Sequence, residues 1–217
     1  DHLGMAPWLC SNHRTRLHGT PLTAKISHMM WNDCYKVSRL EGYPLAWDKR
    51  DIDIATSSWY THQFDEKWEN ESWKLKLTRS GHIPGAAMLN VETETHKLLF
   101  TGDFDTRDSP LVSGAKPEKC DVLFVEGTYG GKNHPKKEDT IEQFVDRIVE
   151  VTDRGGTALI PAFANGRTQD IVMTLHKHLP ELDVHVDGMG KSVARLQMEH
   201  PEALRDPQAL EDAWRWC

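Results

Sequence analysis

No apolar run in the 217-residue chain approaches the ~20 residues a helix needs to cross a bilayer. The mean hydropathy is −0.59, so a membrane-spanning helix is excluded. The first residues, Asp1-His2, show neither an initiator Met nor the charged-then-apolar pattern of a signal peptide. The expectation is of a piece cut from something longer. Cysteine is scarce and scattered, at Cys10, Cys34, Cys120 and Cys217, with no C-x-x-C. That argues against a disulfide frame and a cysteine-based zinc knuckle, and for a reduced compartment: cytoplasmic, or nuclear if the source is eukaryotic. Neither a G-x-S-x-G elbow nor a cysteine-nucleophile motif occurs. Basic charge is not in surplus, with 26 Lys and Arg against 33 Asp and Glu, a net of −7. An overall basic coat for nucleic acid is excluded, while a local basic groove is not. There is no internal repeat and no low-complexity tract.

What is present suffices for folding. With 38% hydrophobic residues, the chain can bury the core of one large domain or two smaller ones. Thr20 before Pro21 marks a helix start, followed by apolar spacing through Ile26, Met29, Met30 and Tyr35. Residues 42–73 read as loops and short elements. Strands are predicted over 73–78, 86–91 and 97–100, in the manner of a meander. Val122 to Val125 is a continuous apolar run, as expected of a strand buried on both faces. After Gly131 the pattern changes. Thr140 and Gln143 suggest a capping box opening an amphipathic helix that Gly155-Gly156 stops. A strand at 158–161, a helix from about 166 to 179 and a strand at 184–186 predict a parallel α/β sheet. The expected boundary divides residues 1–130 from 131–217.

Four clusters place metal-ligand residue types at strand ends: Asp1-His2, Ser80-Gly81-His82, Thr101-Gly102-Asp103 and Glu126-Gly127-Thr128-Tyr129. Imidazole nitrogen and carboxylate oxygen together suit zinc and similar divalent ions, and strand ends hold ligands more rigidly than long loops. Singly, each has an ordinary explanation, because a histidine or aspartate after glycine is usually a turn residue.

Together and in this order, the clusters resemble the motifs of the metallo-β-lactamase superfamily, and of one branch in particular, the β-CASP nucleases. Asp1-His2 with Leu3-Gly4-Met5-Ala6-Pro7 resembles the end of H-x-H-x-D-H and its continuation. Ser80-Gly81-His82-Ile83-Pro84-Gly85 resembles the third metal motif, with Ser80 where Ala is usual. Phe100-Thr101-Gly102-Asp103-Phe104 resembles the fourth, and Glu126-Gly127-Thr128-Tyr129-Gly130 the acidic motif of the branch. Phe163-Ala164-Asn165-Gly166-Arg167-Thr168-Gln169-Asp170 is similar to the branch's strand-to-helix signature, with Asp170 where Glu is usual.

The resemblance covers essentially the whole chain. It implies an αββα metallo-β-lactamase sandwich, N-terminally incomplete, over residues 1–130 and the start of an α/β β-CASP domain over 131–217. It implies a zinc-dependent nuclease that hydrolyses RNA phosphodiesters in 3′-end processing or decay, with DNA as the other substrate class. Two zinc ions would be held by Asp1, His2, His82 and Asp103, with Asp103 bridging; two ions at ~3.5–4 Å activate a hydroxide and clamp the attacking and leaving oxygens. Asp1, Asp103 and Glu126 are the expected catalytic carboxylates, with Glu126 supporting proton transfer from beside the metals. The two histidines of H-x-H and the late β-CASP histidines fall outside the sequence, so the chain alone is expected to be inactive. A second copy or subunits of a processing complex are the expected protein partners, and no membrane.

Other features have two readings each. Gly188-Met189-Gly190-Lys191-Ser192 fails the Walker pattern because His185 stands where glycine is needed. As a helix start it could still present Lys191 and backbone amides to a phosphate. Arg167 reads as a phosphate contact or an ion-pair partner. Trp59, Tyr60, Phe64, Trp68 and Trp73 read as packing or base stacking. His134, His176 and His178 have no ligand-like context, and Lys132, Lys136 and Lys137 read as a solvated linker or an RNA grip. An ester or thioester hydrolase of the same fold and a non-catalytic scaffold of an RNA-processing complex are the alternative functions.

Overall fold

The computed structural model describes residues 2–70 and 72–217. They form two compact units. The first holds residues up to Ser80, Gly85–Gly102 and Ala115–Phe124; the second holds Gly81–Pro84, Asp103–Gly114 and Val125–Cys217. The architecture is mixed α/β, and among the described residues no helix is long and apolar enough to cross a membrane.

The first unit opens with α1 (Ala6–His13) and α2 (Pro21–Glu41). Thr20 caps α2 as expected, its hydroxyl accepting from the Thr23 amide at 3.3 Å, and Pro21 supplies the preset first turn. The helix continues past Tyr35 until Gly42 adopts the left-handed conformation and returns its N–H to Ser38. Thr20 and Thr23 both donate hydroxyl hydrogens to the Gly85 carbonyl, at 2.8 and 3.0 Å. Gly85 has φ +86, and a Cβ there would press on both threonines at 3.2 Å. This glycine is therefore fixed by a close approach as well as by its turn.

The stretch 42–73 consists of loops and short elements, as expected. It holds α3 (Lys49–Ser57), β2 (Trp59–Thr61) and β3 (Lys67–Asn70). Asp48 and Asp51 form a reciprocal capping box at the start of α3, built from two aspartates rather than the S/T-x-x-E/Q pair. β2 pairs in parallel with β1 (Leu17–Gly19).

A five-stranded sheet runs in the order β3, β4 (Trp73–Arg79), β5 (Ala87–Glu92), β6 (Lys97–Phe100), β7 (Val122–Phe124). The first three pairings are antiparallel, confirming the meander, and β6/β7 is parallel. The expectation for Val122–Val125 is corrected: β7 is an edge strand with Leu123 52% and Phe124 49% exposed. An apolar run records that both faces suit burial, but burial needs a layer on each side.

The second unit contains α4 (Lys137–Asp153), α5 (Arg167–His178), α6 (Gly190–Met198), a 3₁₀ turn (Pro201–Ala203) and α7 (Pro207–Trp216). None of its described residues lies in a strand, which corrects the strands expected at 158–161 and 184–186 and the parallel sheet built from them. Strands exist only as ladders with a hydrogen-bonded neighbour, and here Ala158, Ile160 and Val184 pack instead on Ile148, Leu175 and Leu179. Leu159, between the first two, is 94% exposed. The Thr140 capping box is also corrected. Helix α4 starts earlier, at Lys137, and the Thr140 hydroxyl bonds back to the Lys136 carbonyl. A separate core gathers Leu111, Val112, Val172, Met173, Leu210 and Ala213.

Candidate metal centre

The expected ligands reach their positions through short turns. His82 sits between β4 and β5 in a turn whose Gly81 has φ +71. Asp103 follows β6 through Gly102, φ +54. In the β6/β7 pair Phe100 lies opposite Phe124, and the Thr101 amide bonds the Phe124 carbonyl at 3.0 Å. The chain thus leaves both strands at the same end, with Asp103 and Glu126 shortly beyond.

Within the second unit, His82 Nε2 lies 3.7 Å from Asp103 Oδ2, with the side chains 41% and 32% exposed. Glu126 stands beside them with both oxygens engaged. Its Oε1 accepts the Phe104 amide at 3.3 Å, and its Oε2 accepts the Thr128 amide at 3.2 Å. The Thr128 hydroxyl, those amides and nearby His82 hold its carboxyl below the usual carboxylate range. Glu126 therefore fixes the backbone next to Asp103. An open concavity of about 920 Å³ is lined by His82, Asp103, Glu126, Tyr129, His134 and Arg167, among others.

The loop carrying Asp103 is pinned along its length. Lys137 Nζ donates to the Asp108 carbonyl at 2.7 Å, and Asp108 accepts the Gly114 amide at 2.8 Å. Arg205 donates to the Ser109 carbonyl at 3.0 Å and pairs with the Asp108 carboxylate at 3.2 Å. Asp170 on α5 accepts the Leu111 amide at 3.3 Å. Burial pushes the Asp170 carboxyl up, opposed by the Ser109 hydroxyl and by Lys137 and Arg167. Asp105 forks onto Arg107 at 3.0 and 2.7 Å, which pulls its carboxyl down.

Of the expected site residues, His82, Asp103, Glu126 and Arg167 share this concavity. His2 belongs to the first unit, ahead of α1, and Asp1 lies outside the described residues. Lys191 pairs with Asp187 at 3.1 Å and does not line the concavity. His134, read from the sequence as having no ligand-like context, lines the concavity too, its ring meeting Tyr129 edge-on at 4.3 Å. A histidine five residues after a motif tyrosine was the available signal. Asp170 was noted only as a departure from glutamate, and its burial follows from packing that no local pattern encodes.

The pair fits a metal in part. One ion bound at ~2.0–2.2 Å to an imidazole nitrogen and a carboxylate oxygen can span their 3.7 Å separation. Among the described residues, no group of three or more histidine, cysteine or acidic side chains is assembled closely enough to hold an ion unaided.

No family model matches the chain. It is 30% identical over 218 residues to an RNase named aCSPSF2 of Saccharolobus solfataricus, covering 99% of this chain and 44% of that protein. It is 30% identical over 221 residues to a probable RNase, MJ4, of Methanocaldococcus jannaschii, covering 98% of this chain and 51% of that one. A cleavage and polyadenylation specificity factor 73 of Drosophila melanogaster is 31% identical over 179 residues, 81% of this chain and 26% of its own length. The chain thus spans about half or less of the length of these relatives.

Proposed function

We infer the function from one premise: the chain belongs to the β-CASP branch of the metallo-β-lactamase superfamily. From it we propose a zinc-dependent ribonuclease of RNA processing or decay, in which residues 1–130 contribute to an αββα metallo-β-lactamase domain and 131–217 begin the β-CASP domain. The observation that carries this reading is the imidazole–carboxylate pair of His82 and Asp103 at 3.7 Å, with Glu126 braced alongside.

Asp1, His2, His82 and Asp103 would hold zinc, which when bound supplies a hydroxide at neutral pH and neutralises charge on the phosphodiester. The chain's own groups do the positioning. Glu126, anchored by two amides, holds the Asp103–Phe104 backbone in place and by the family's pattern supports proton transfer. Arg167, at the first turn of α5 and on the concavity wall, would contact a substrate phosphate. Lys191, already paired with Asp187, is the lesser phosphate contact in this proposal.

The test is cleavage of a labelled single-stranded RNA by the protein extended to the length of its relatives. Cleavage should be lost with a chelator, return with zinc, and be abolished by Asp103→Ala. Undiminished cleavage by the chelated protein or by that variant would overturn the proposal.

A further inference from the structure

Outside the metal centre, the first unit carries a second candidate binding surface. Strand β4 alternates Lys74 and Lys76 with Leu75 and Leu77, so its lysines share one face of the sheet. In the β3/β4 register Lys67 lies directly opposite Lys76. Like charges directly opposite in an antiparallel pair repel and destabilise the ladder; Glu118, bonded to Lys76, offsets this pair, while Lys74 has Glu69 and Glu92 opposite it and Lys97 has Glu92. Lys97 at the start of β6 and Lys119 ahead of β7 border the same hollow, of about 380 Å³. It thus gathers five of the chain's fourteen lysines against two glutamates, in a chain whose net charge is −7.

We propose that this lysine-lined hollow on the β3–β6 face binds the phosphate backbone of single-stranded RNA, as a contact separate from the residues of the metal centre. The choice of RNA rests on the ribonuclease reading above; the choice of phosphate rests on the lining. Flexible ammonium groups act as point charges for phosphate oxygens, and repeated charges suit a repeating polyanion. None of the lining residues is aromatic, so the hollow has no ring on which to stack a base. Binding there should be insensitive to sequence and strongly dependent on salt. The like-charged Lys67/Lys76 pair, which Glu118 offsets at Lys76, is relieved further when an anion lies across it.

The experiment measures binding of the full chain to fluorescent oligonucleotides of different sequence across a salt titration. For single strands each phosphate contact contributes about 0.7 to the slope of log K against log salt. Replacing Lys67, Lys74 and Lys119 together with Gln should lower the slope by about 2, whatever the sequence. The matching arginine variant should keep it, and Gln at Lys25, Lys36 and Lys49, which changes the net charge equally, should leave it unaltered. Lys119→Gln alone, outside every strand, guards against misfolding and should lower the slope by about 0.7. An unchanged slope in the folded triple variant, or an equal fall in the Lys25/Lys36/Lys49 control, overturns the proposal. The two readings fail separately. Loss of the slope effect with Asp103-dependent cleavage intact removes only the groove, whereas a retained slope effect with no Asp103-dependent cleavage removes only the nuclease.

Discussion

At the scale of single residues, two acids near His82 make different contacts, and the proposed function assigns them separable tasks. Asp103 faces the imidazole at 3.7 Å, whereas Glu126 spends both oxygens on the amides of Phe104 and Thr128. Asp103→Ala should therefore lower zinc content and abolish RNA cleavage together. Glu126→Gln keeps one accepting oxygen but turns an NH₂ donor towards an amide N–H. It should retain zinc, while the loss of proton-transfer support slows single-turnover cleavage by ~10²–10⁴. Elemental analysis beside single-turnover rates checks both; a Glu126→Gln protein that loses its zinc would reverse the assignment. The placement of these residues shortly after strand ends was readable because glycine turns and strand ends leave short, local marks. The amide bracing of Glu126 was not, because it joins residues 22 positions apart.

At the scale of elements, what could be read depended on whether the signal was local. The Thr20-Pro21 start of α2 and the Gly166 start of α5 were legible, since a cap is a matter of a few adjacent residues. The strands at 158–161 and 184–186 were not decided by their own sequence, because pairing needs a neighbour that lies elsewhere. Exposed β7 makes the same point: its apolar composition is local, its burial is not. Helix α5 carries a further consequence through Asp170. Burial raises its folded pKa above the unfolded value, so the folded state holds the proton longer. Stability contributed by this group falls as pH rises from the ordinary aspartate range through the raised pKa. Asp170→Asn mimics the protonated form. The variant should match the wild type in acid and gain on it towards neutrality, as read by urea denaturation at a series of pH values. A stability difference that does not change with pH would show that Lys137 and Arg167 fully offset the burial.

For the whole molecule, composition set the class and contacts set the partition. The mixed α/β character was legible from the antiparallel strands at 73–100 and the helix patterns on either side of them, not from the strand–helix alternation expected after Gly131. The division of 81–84 and 103–114 into the second unit was not, because those segments join it through ties such as Lys137 to Asp108 and Arg205 to Ser109. This brings His82 and Asp103, from different turns of the chain, into one unit with Glu126. The central claim is that His82 and Asp103 serve one metal ion. Zinc affinity in a double-mutant cycle tests it most directly, using His82→Ala, Asp103→Ala and the pair in the protein at the length of its relatives. If they share an ion, either substitution alone should weaken zinc binding strongly and the second should add little, a coupling well above the ~0.5 kcal/mol scatter of independent sites. Strictly additive losses, or single variants that bind zinc like the wild type, would contradict it.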